Sequence, residues 1–157
     1  MQKIMTCLGF NNQAEEAVNF YTSVVRNSKI LSTTRSGDAG PSPKGSLLAA
    51  TFQLDGQEFM VLNGGPPFTF SIGMSIVINC ETQAEIDELW EKLSEGGAQV
   101  QCGWLTDKFG VSWQIVPRVL VEMLSDPNPA KSQPVMQAML QMKKLDIARL
   151  KQAYGSQ

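Results

Sequence analysis

The sequence contains no histidine. Histidine is the side chain that titrates nearest neutral pH and the commonest metal ligand. Its absence excludes Ser-His-Asp and Cys-His catalysis, and any metal site would need other donors. No apolar run reaches the roughly 18 residues of a membrane-spanning helix. The opening segment MQKIMTCLGF has no long apolar stretch of the kind a secretory leader needs. Cysteine is scarce: Cys7, Cys80 and Cys102 are odd in number and far apart, which suits reduced thiols in a cytoplasmic protein better than a disulfide framework. Basic blocks are missing too. The formal net charge is −2, so composition offers nothing to nucleic acid.

What remains is an ordinary globular balance, 43% apolar and 18% charged over 157 residues, enough for one domain or two small fused modules with a real core. The most informative stretch is DKFGVSWQIVP, 107–117. Asp107-Lys108-Phe109-Gly110 reads as a tight turn, with Asp to start it and Gly to allow positive φ near its end. Asp107 and Lys108 are expected to be solvated there. Val111 to Val116 reads as a strand of β-branched and aromatic residues, stopped by Pro117. Gln114 stands out as a side-chain amide in the middle of that apolar strand. It is either a satisfied core amide or a polar group aimed at a ligand.

In chain order, Ile4 to Phe10 reads as a strand with Ile4, Leu8 and Phe10 on one face. Asn12 is the expected N-cap of a helix carrying Ala14, Ala17, Val18, Tyr21, Val24 and Val25 at helical spacing. Lys29–Arg35 is a second strand, and 36–45 is a Gly/Pro loop. Ser46–Leu54 and Gln57–Asn63 form a hairpin about Asp55-Gly56. Gly64 to Pro67 closes this βαβββ module. The pattern then restarts: strand Ile72–Cys80, cap Thr82, helical stripe Ile86, Leu89, Trp90 and Leu93, stop at Gly96-Gly97, strand Gln99–Leu105, then the stretch above. Asn12-Gln13-Ala14-Glu15 and Thr82-Gln83-Ala84-Glu85 match at a shift of 70 residues, at the same point of the same strand–cap–helix order. That coincidence of place points to a structural duplication. Glu15, Glu16, Glu85 and Glu88 are read as solvent-facing, and Asn63 and Asn79 as strand-end caps. Helices are expected at Val119–Leu124, Val135–Lys144 and Asp146–Ala153. Met136, Met139, Leu140 and Met142 form a stripe suited to a core or to an adaptable contact surface. This tail is expected to cover a sheet edge or a second subunit.

Taken together, AEEAVNFYTSVV (14–25), NSKI (27–30), LNGGP (62–66), QCGWLTDKFGVSWQIVP (101–117) and MKKLDIARLKQA (142–153) resemble the PhnB-like family of the vicinal oxygen chelate superfamily, the glyoxalase/bleomycin-resistance fold. That family is often labelled the 3-demethylubiquinone-9 3-methyltransferase domain. The resemblance implies an α+β fold of two βαβββ modules, 1–65 and 71–117, forming curled sheets with a cavity between them, plus a helical extension, 118–157. Metal-dependent relatives bind one divalent ion through four side chains, usually His or Glu, from the first and last strand of each module. The corresponding positions here are Met5 (or, one residue on, Thr6), Met60, Ser75 and Gln114. None is His, Asp or Glu, so no metal of the usual kind is expected. Cys102-Gly103-Trp104 reads chiefly as packing and a sheet bend, with Trp104 offering a broad face and one donor.

The reading that follows is a metal-independent small-molecule-binding protein, with Met5, Met60, Ser75, Trp104 and Gln114 as the candidate cavity, no cofactor, a homodimer, and a cytoplasmic location. Its alternative is an enzyme of the superfamily, either the labelled methyltransferase or a divergent lyase or dioxygenase. The only double glycines, Gly64-Gly65 and Gly96-Gly97, do not lie between a strand and a helix, where a nucleotide-like methyl donor would need them.

Overall fold

The structure, a computed structural model, describes residues 2–64 and 67–155. Met1, Gly65, Pro66, Ser156 and Gln157 lie outside the described residues, so the outer ends expected for the first module and for the extension do too. The protein is α+β, with two open four-stranded sheets of identical strand order. It divides into two compact units, Met1–Thr69 and Phe70–Gln157.

The first unit contains β1 (Thr6–Phe10), α1 (Ala14–Val24), β2 (Lys29–Arg35), β3 (Leu47–Leu54) and β4 (Gln57–Asn63), in sheet order β1-β4-β3-β2. β1 lies parallel to β4 and the other pairs are antiparallel. Strand alternation sends Leu8, Phe10, Ala50, Phe52, Leu54, Phe59 and Val61 to one face. There they bury against Ala14, Ala17, Val18 and Tyr21 of α1. The β3–β4 hairpin turns on Asp55 (φ 48°) and Gly56 (φ 84°), the paired positive φ values that a two-residue loop of the right twist requires. Two expectations need correction. Ile4 precedes the ladder, which begins at Thr6, and is 85% exposed. The residue before α1 is Gln13, not Asn12, and its side chain makes no cap. The cap comes from the end of β4: Asn63 Oδ1 accepts from the Ala14 N–H at 2.9 Å, while Asn63 Nδ2 donates to the Leu47 carbonyl at 3.1 Å.

The second unit repeats the plan with β5 (Ser75–Cys80), α2 (Gln83–Ser94), β6 (Ala98–Gln99), β7 (Trp104–Thr106) and β8 (Ser112–Pro117), in order β5-β8-β7-β6. Here the expected cap holds: Thr82 Oγ1 accepts from the Glu85 N–H at 3.2 Å, and Glu85 Oε2 reaches back to the Glu81 N–H at 2.9 Å. β5 starts at Ser75, and Ile72 and Met74 before it are exposed. The single strand expected over Gln99–Leu105 is broken into β6 and β7. Cys102 (φ 59°) and Gly103 (φ 85°) turn the chain there, and the Val100 N–H donates across to the Trp104 carbonyl at 2.9 Å.

The tail folds within this second unit as α3 (Arg118–Leu124), α4 (Pro129–Leu140) and α5 (Ile147–Gly155). α4 begins well before Val135, because Asn128 caps it through the Ala130 N–H at 3.0 Å and Pro134 is accommodated inside it. Leu120, Met123, Val135, Met142, Leu145 and Leu150 make its core. Of the expected methionine stripe, Met142 is buried and Met139 packs beside it, while Met136 and Leu140 remain exposed. The link after α4 ties to the β6–β7 turn. The Cys102 and Gly103 N–H groups donate to the Met142 and Lys143 carbonyls, each at 2.8 Å. A Cβ on Gly103 would lie 2.9 Å from both the Ile115 carbonyl oxygen and Leu145 Cδ1, so the glycine is there for close approach.

Candidate functional site

The turn ahead of β8 is built around Asp107. The Gly110 N–H donates to the Asp107 carbonyl at 3.0 Å, and Gly110 has φ 93°, as the DKFG reading requires. Asp107 itself is not solvated; it is 2% exposed. Its Oδ1 accepts from the Phe109 and Val111 N–H groups at 2.9 and 3.0 Å, and its Oδ2 accepts from Trp113 Nε1 at 2.8 Å. The fully buried Trp113 indole needs an acceptor inside the core, and the first residue of the turn supplies it. The carboxylate is therefore a structural hub that fixes where β8 begins.

With Trp113 and Ile115 buried toward α2, alternation turns Gln114 and Val116 to the opposite face. Gln114 is half-buried and its Nε2 donates to Ser75 Oγ at 2.9 Å. Among the described residues this is the only hydrogen bond the amide makes, which leaves its carbonyl oxygen able to accept from a ligand. Trp104, on β7, is the register partner of Gln114, with Leu105 beside it buried on the helix side. Val77 of β5 is the register partner of Gln114 on its other side. The second unit thus brings Ser75, Trp104 and Gln114 together on the sheet face turned away from α2.

The first unit places Met60 at the equivalent position. Thr6 pairs with Phe59 and Cys7 with Met60, as Ile76 pairs with Trp113 and Val77 with Gln114, so the shift of 70 residues carries β1 onto β5 and aligns Met60 with Gln114. Met60 is half-buried on the face away from α1, beside Cys7 and Thr51. The hydroxyls of Ser32 and Thr51 are hydrogen-bonded at 2.5 Å on that face. Met5 lies one residue before β1, half-buried. Thr51 was absent from the sequence-derived set, although counting alternation from Met60 and Phe59 would have found it.

The donor chemistry does not fit the divalent ion of metal-dependent relatives. Thioethers are poor ligands for hard ions, and the one amide–hydroxyl pair carries no charge. Among the described residues, no group of three or more His, Cys, Asp or Glu stands together. Neither the Cys80 nor the Cys7 thiol is activated. Burial pushes the Cys80 thiol up to about 12, with Glu85 and Glu81 adding to the effect, and burial raises Cys7 as well. A shallow groove of about 370 Å³ lies elsewhere, where the first turns of α2 and α5 meet beside Glu81, Thr82 and Lys151. Gln83 Oε1 accepts from the Ile147 N–H at 2.8 Å and its Nε2 donates to the Leu145 carbonyl at 3.0 Å, which pins α5 to α2.

Comparison with known proteins bears on both units. Residues 2–116 match the family model described as 3-demethylubiquinone-9 3-methyltransferase. The match ends within β8, ahead of the tail helices. The PhnB protein of Bacillus cereus is similar at 44% identity with a TM-score of 0.69, covering 74% of this chain and 99% of that one. A protein of Pseudomonas aeruginosa is similar at 26% identity and TM-score 0.63, covering 74% and 98%. The fosfomycin resistance protein FosX of Listeria monocytogenes, solved with Mn(II) and sulfate, shares the fold at 15% identity and TM-score 0.52, covering 82% and 100%. No curated protein matches.

Proposed function

The chain belongs to the 3-demethylubiquinone-9 3-methyltransferase (PhnB-like) family of the vicinal oxygen chelate superfamily, and from that premise we propose that it is a metal-independent protein that binds a small neutral polar molecule. The observation that carries this reading is the Ser75–Gln114 hydrogen bond. At a position where metal-dependent members are expected to place a charged or imidazole ligand, this chain has an amide already engaged with a hydroxyl. An amide donates and accepts, so it orients a neutral ligand without a cation. Trp104 beside it offers an apolar face. The first unit, taken by itself, offers an adaptable thioether surface at Met5 and Met60.

The protein is further read as a cytoplasmic homodimer. The three free cysteines suit a reducing compartment, and no described helix is long and apolar enough to cross a membrane. The net charge of −2 and the absence of a basic block leave nucleic acid without an electrostatic partner.

The family's description favours a second reading, methyl transfer. Against it, the strand-to-helix links are Asn11-Asn12-Gln13 and Glu81-Thr82, with no glycine to cradle a nucleotide-like donor. Native mass spectrometry of the protein isolated from its host separates these readings. A retained small molecule, lost or weakened in Gln114→Ala, is expected. Retention of a sulfonium methyl donor instead would establish the enzyme reading.

A further inference from the structure

Phe68 lies over the first unit's own sheet. The Phe68 N–H donates to Asn11 Oδ1 at 2.8 Å, and Asn11 Nδ2 donates to the Phe68 carbonyl at 3.4 Å. This two-way clasp lays the Phe68 ring on Gly9. A Cβ at Gly9 would sit 3.0–3.2 Å from three atoms of the ring, closer than side chains ordinarily tolerate. Space, not backbone conformation, favours glycine here, since any side chain would make the ring give by a few tenths of an ångström. Gly9 pairs with Leu62, and Cys7 pairs with Met60. Leu8 and Phe10 turn to the buried side, so Gly9, Cys7 and Met60 share the face away from α1. The ring therefore stands on the very face that carries Met60, half-buried, between the exposed Pro67 and Thr69.

We propose that Phe68 is a specificity-determining wall of that face. Held by Asn11 and seated on Gly9, its ring bars bulky molecules and admits slender or flat ones beside Met60. Asn11 is the positioning residue. The proposal rests on this face being a ligand-binding surface, yet its steric content is testable without the ligand.

Cys7 is a built-in reporter. It is exposed, on the same face, two residues or about 7 Å along the strand from Gly9. Its labelling by N-ethylmaleimide and by the much bulkier N-(1-pyrenyl)maleimide is followed on the full chain by peptide mass spectrometry. Buried Cys80 serves as the control for unfolding. In Phe68→Ala the pyrenyl reagent should gain about tenfold in rate at Cys7, the size of a steric barrier of roughly 1.4 kcal/mol. The ethyl reagent should change little and Cys80 should stay unlabelled. Asn11→Ala should move the same way. Asn11→Asp, which keeps the acceptor for the Phe68 N–H, should stay near the parent. An unchanged ratio of the two rates in Phe68→Ala overturns the proposal. So does a parallel rise for both reagents accompanied by Cys80 labelling, which would mean the ring only packs. Failure to retain any small molecule in native mass spectrometry would instead remove the small-molecule reading, whatever the labelling ratio shows.

Discussion

The two units share one strand order and differ in what their last strands ask of the rest of the chain. Phe59 and Trp113 occupy equivalent places, each buried toward its own helix. Phe59 has no polar atom and settles by stacking on Phe52, ring centroids 5.6 Å apart. Trp113 carries an N–H into the core, and Asp107 has to follow it in. The matching turn in the first unit, Asp55-Gly56, makes no such demand, and Asp55 stays exposed. One indole nitrogen thus converts a surface turn into a buried hydrogen-bonded hub. The opposite faces diverge just as sharply: thioether and thiol at Met60 and Cys7, amide, hydroxyl and indole at Gln114, Ser75 and Trp104. The helix-facing sides, which hold the fold together, stay apolar in both apart from the Trp113–Asp107 pair. The free sides differ in chemistry while both sheets keep one strand order.

The comparison breaks most visibly at Asp107. Asp107→Ala should cost about 3–5 kcal/mol in denaturant melts, because it orphans two backbone N–H groups and the indole N–H in the core. In a Trp113→Phe background, which makes β8 resemble β4, the same substitution should cost about 1–3 kcal/mol less. Equal costs in both backgrounds would mean that the indole is not what draws Asp107 inward.

Next comes the tail, which only the second unit carries. Leu145→Ala should cost about 2–4 kcal/mol. It should also speed amide exchange at Cys102 and Gly103, whose N–H groups bond to the link that Leu145 anchors. Unaltered exchange there would show that the tail merely rests on the β6–β7 turn.

Helix capping sharpens the contrast further. Thr82→Ala removes a local cap and should cost about 1 kcal/mol. Asn63→Ala removes a cap supplied from β4 and also a bond to the Leu47 carbonyl, so about 1.5 kcal/mol is expected. The reverse order in thermal melts would mean that Gln13 holds α1 unaided.

These same residues show how far the sequence could be read. Alternation and helical spacing were enough for both modules, because apolar residues at periods of 2 and 3.6 are what each buried face demands. β2 and β4 fall where that pattern places them. Asp107 escaped because its burial is decided by a tryptophan six residues away and not by its own turn. The bend at Cys102-Gly103 was legible, but not that it breaks β6 from β7, because Cys102, a non-glycine residue, adopts φ 59° under the tail's hydrogen bonds. α4 began earlier than expected because a cap at Asn128 and packing of Val135 outweigh the interior Pro134. Of the candidate site, the equivalence of Met60 and Gln114 was legible, since FMVL (59–62) matches WQIV (113–116) residue type for residue type around them. The Ser75–Gln114 bond and the Phe68–Gly9 contact were not, since each joins residues dozens of positions apart.

One expected effect is confined to alkaline solution. The Cys80 thiol is raised from its ordinary value near 9 to about 12, so the folded state holds its proton more tightly than the unfolded chain. Its contribution to stability is full below pH 9 and is lost as pH rises toward 12. Cys80→Ala should flatten that alkaline decline relative to the parent, and identical slopes would remove the assignment.

The proposed role of Gln114 is to orient a neutral polar ligand with no metal at its position. It is tested most directly by elemental analysis of the protein purified without chelators. Manganese, iron, nickel and zinc each well below one atom per chain is the predicted result. One atom per chain of any of them, abolished by Gln114→Ala in a folded protein, would contradict it.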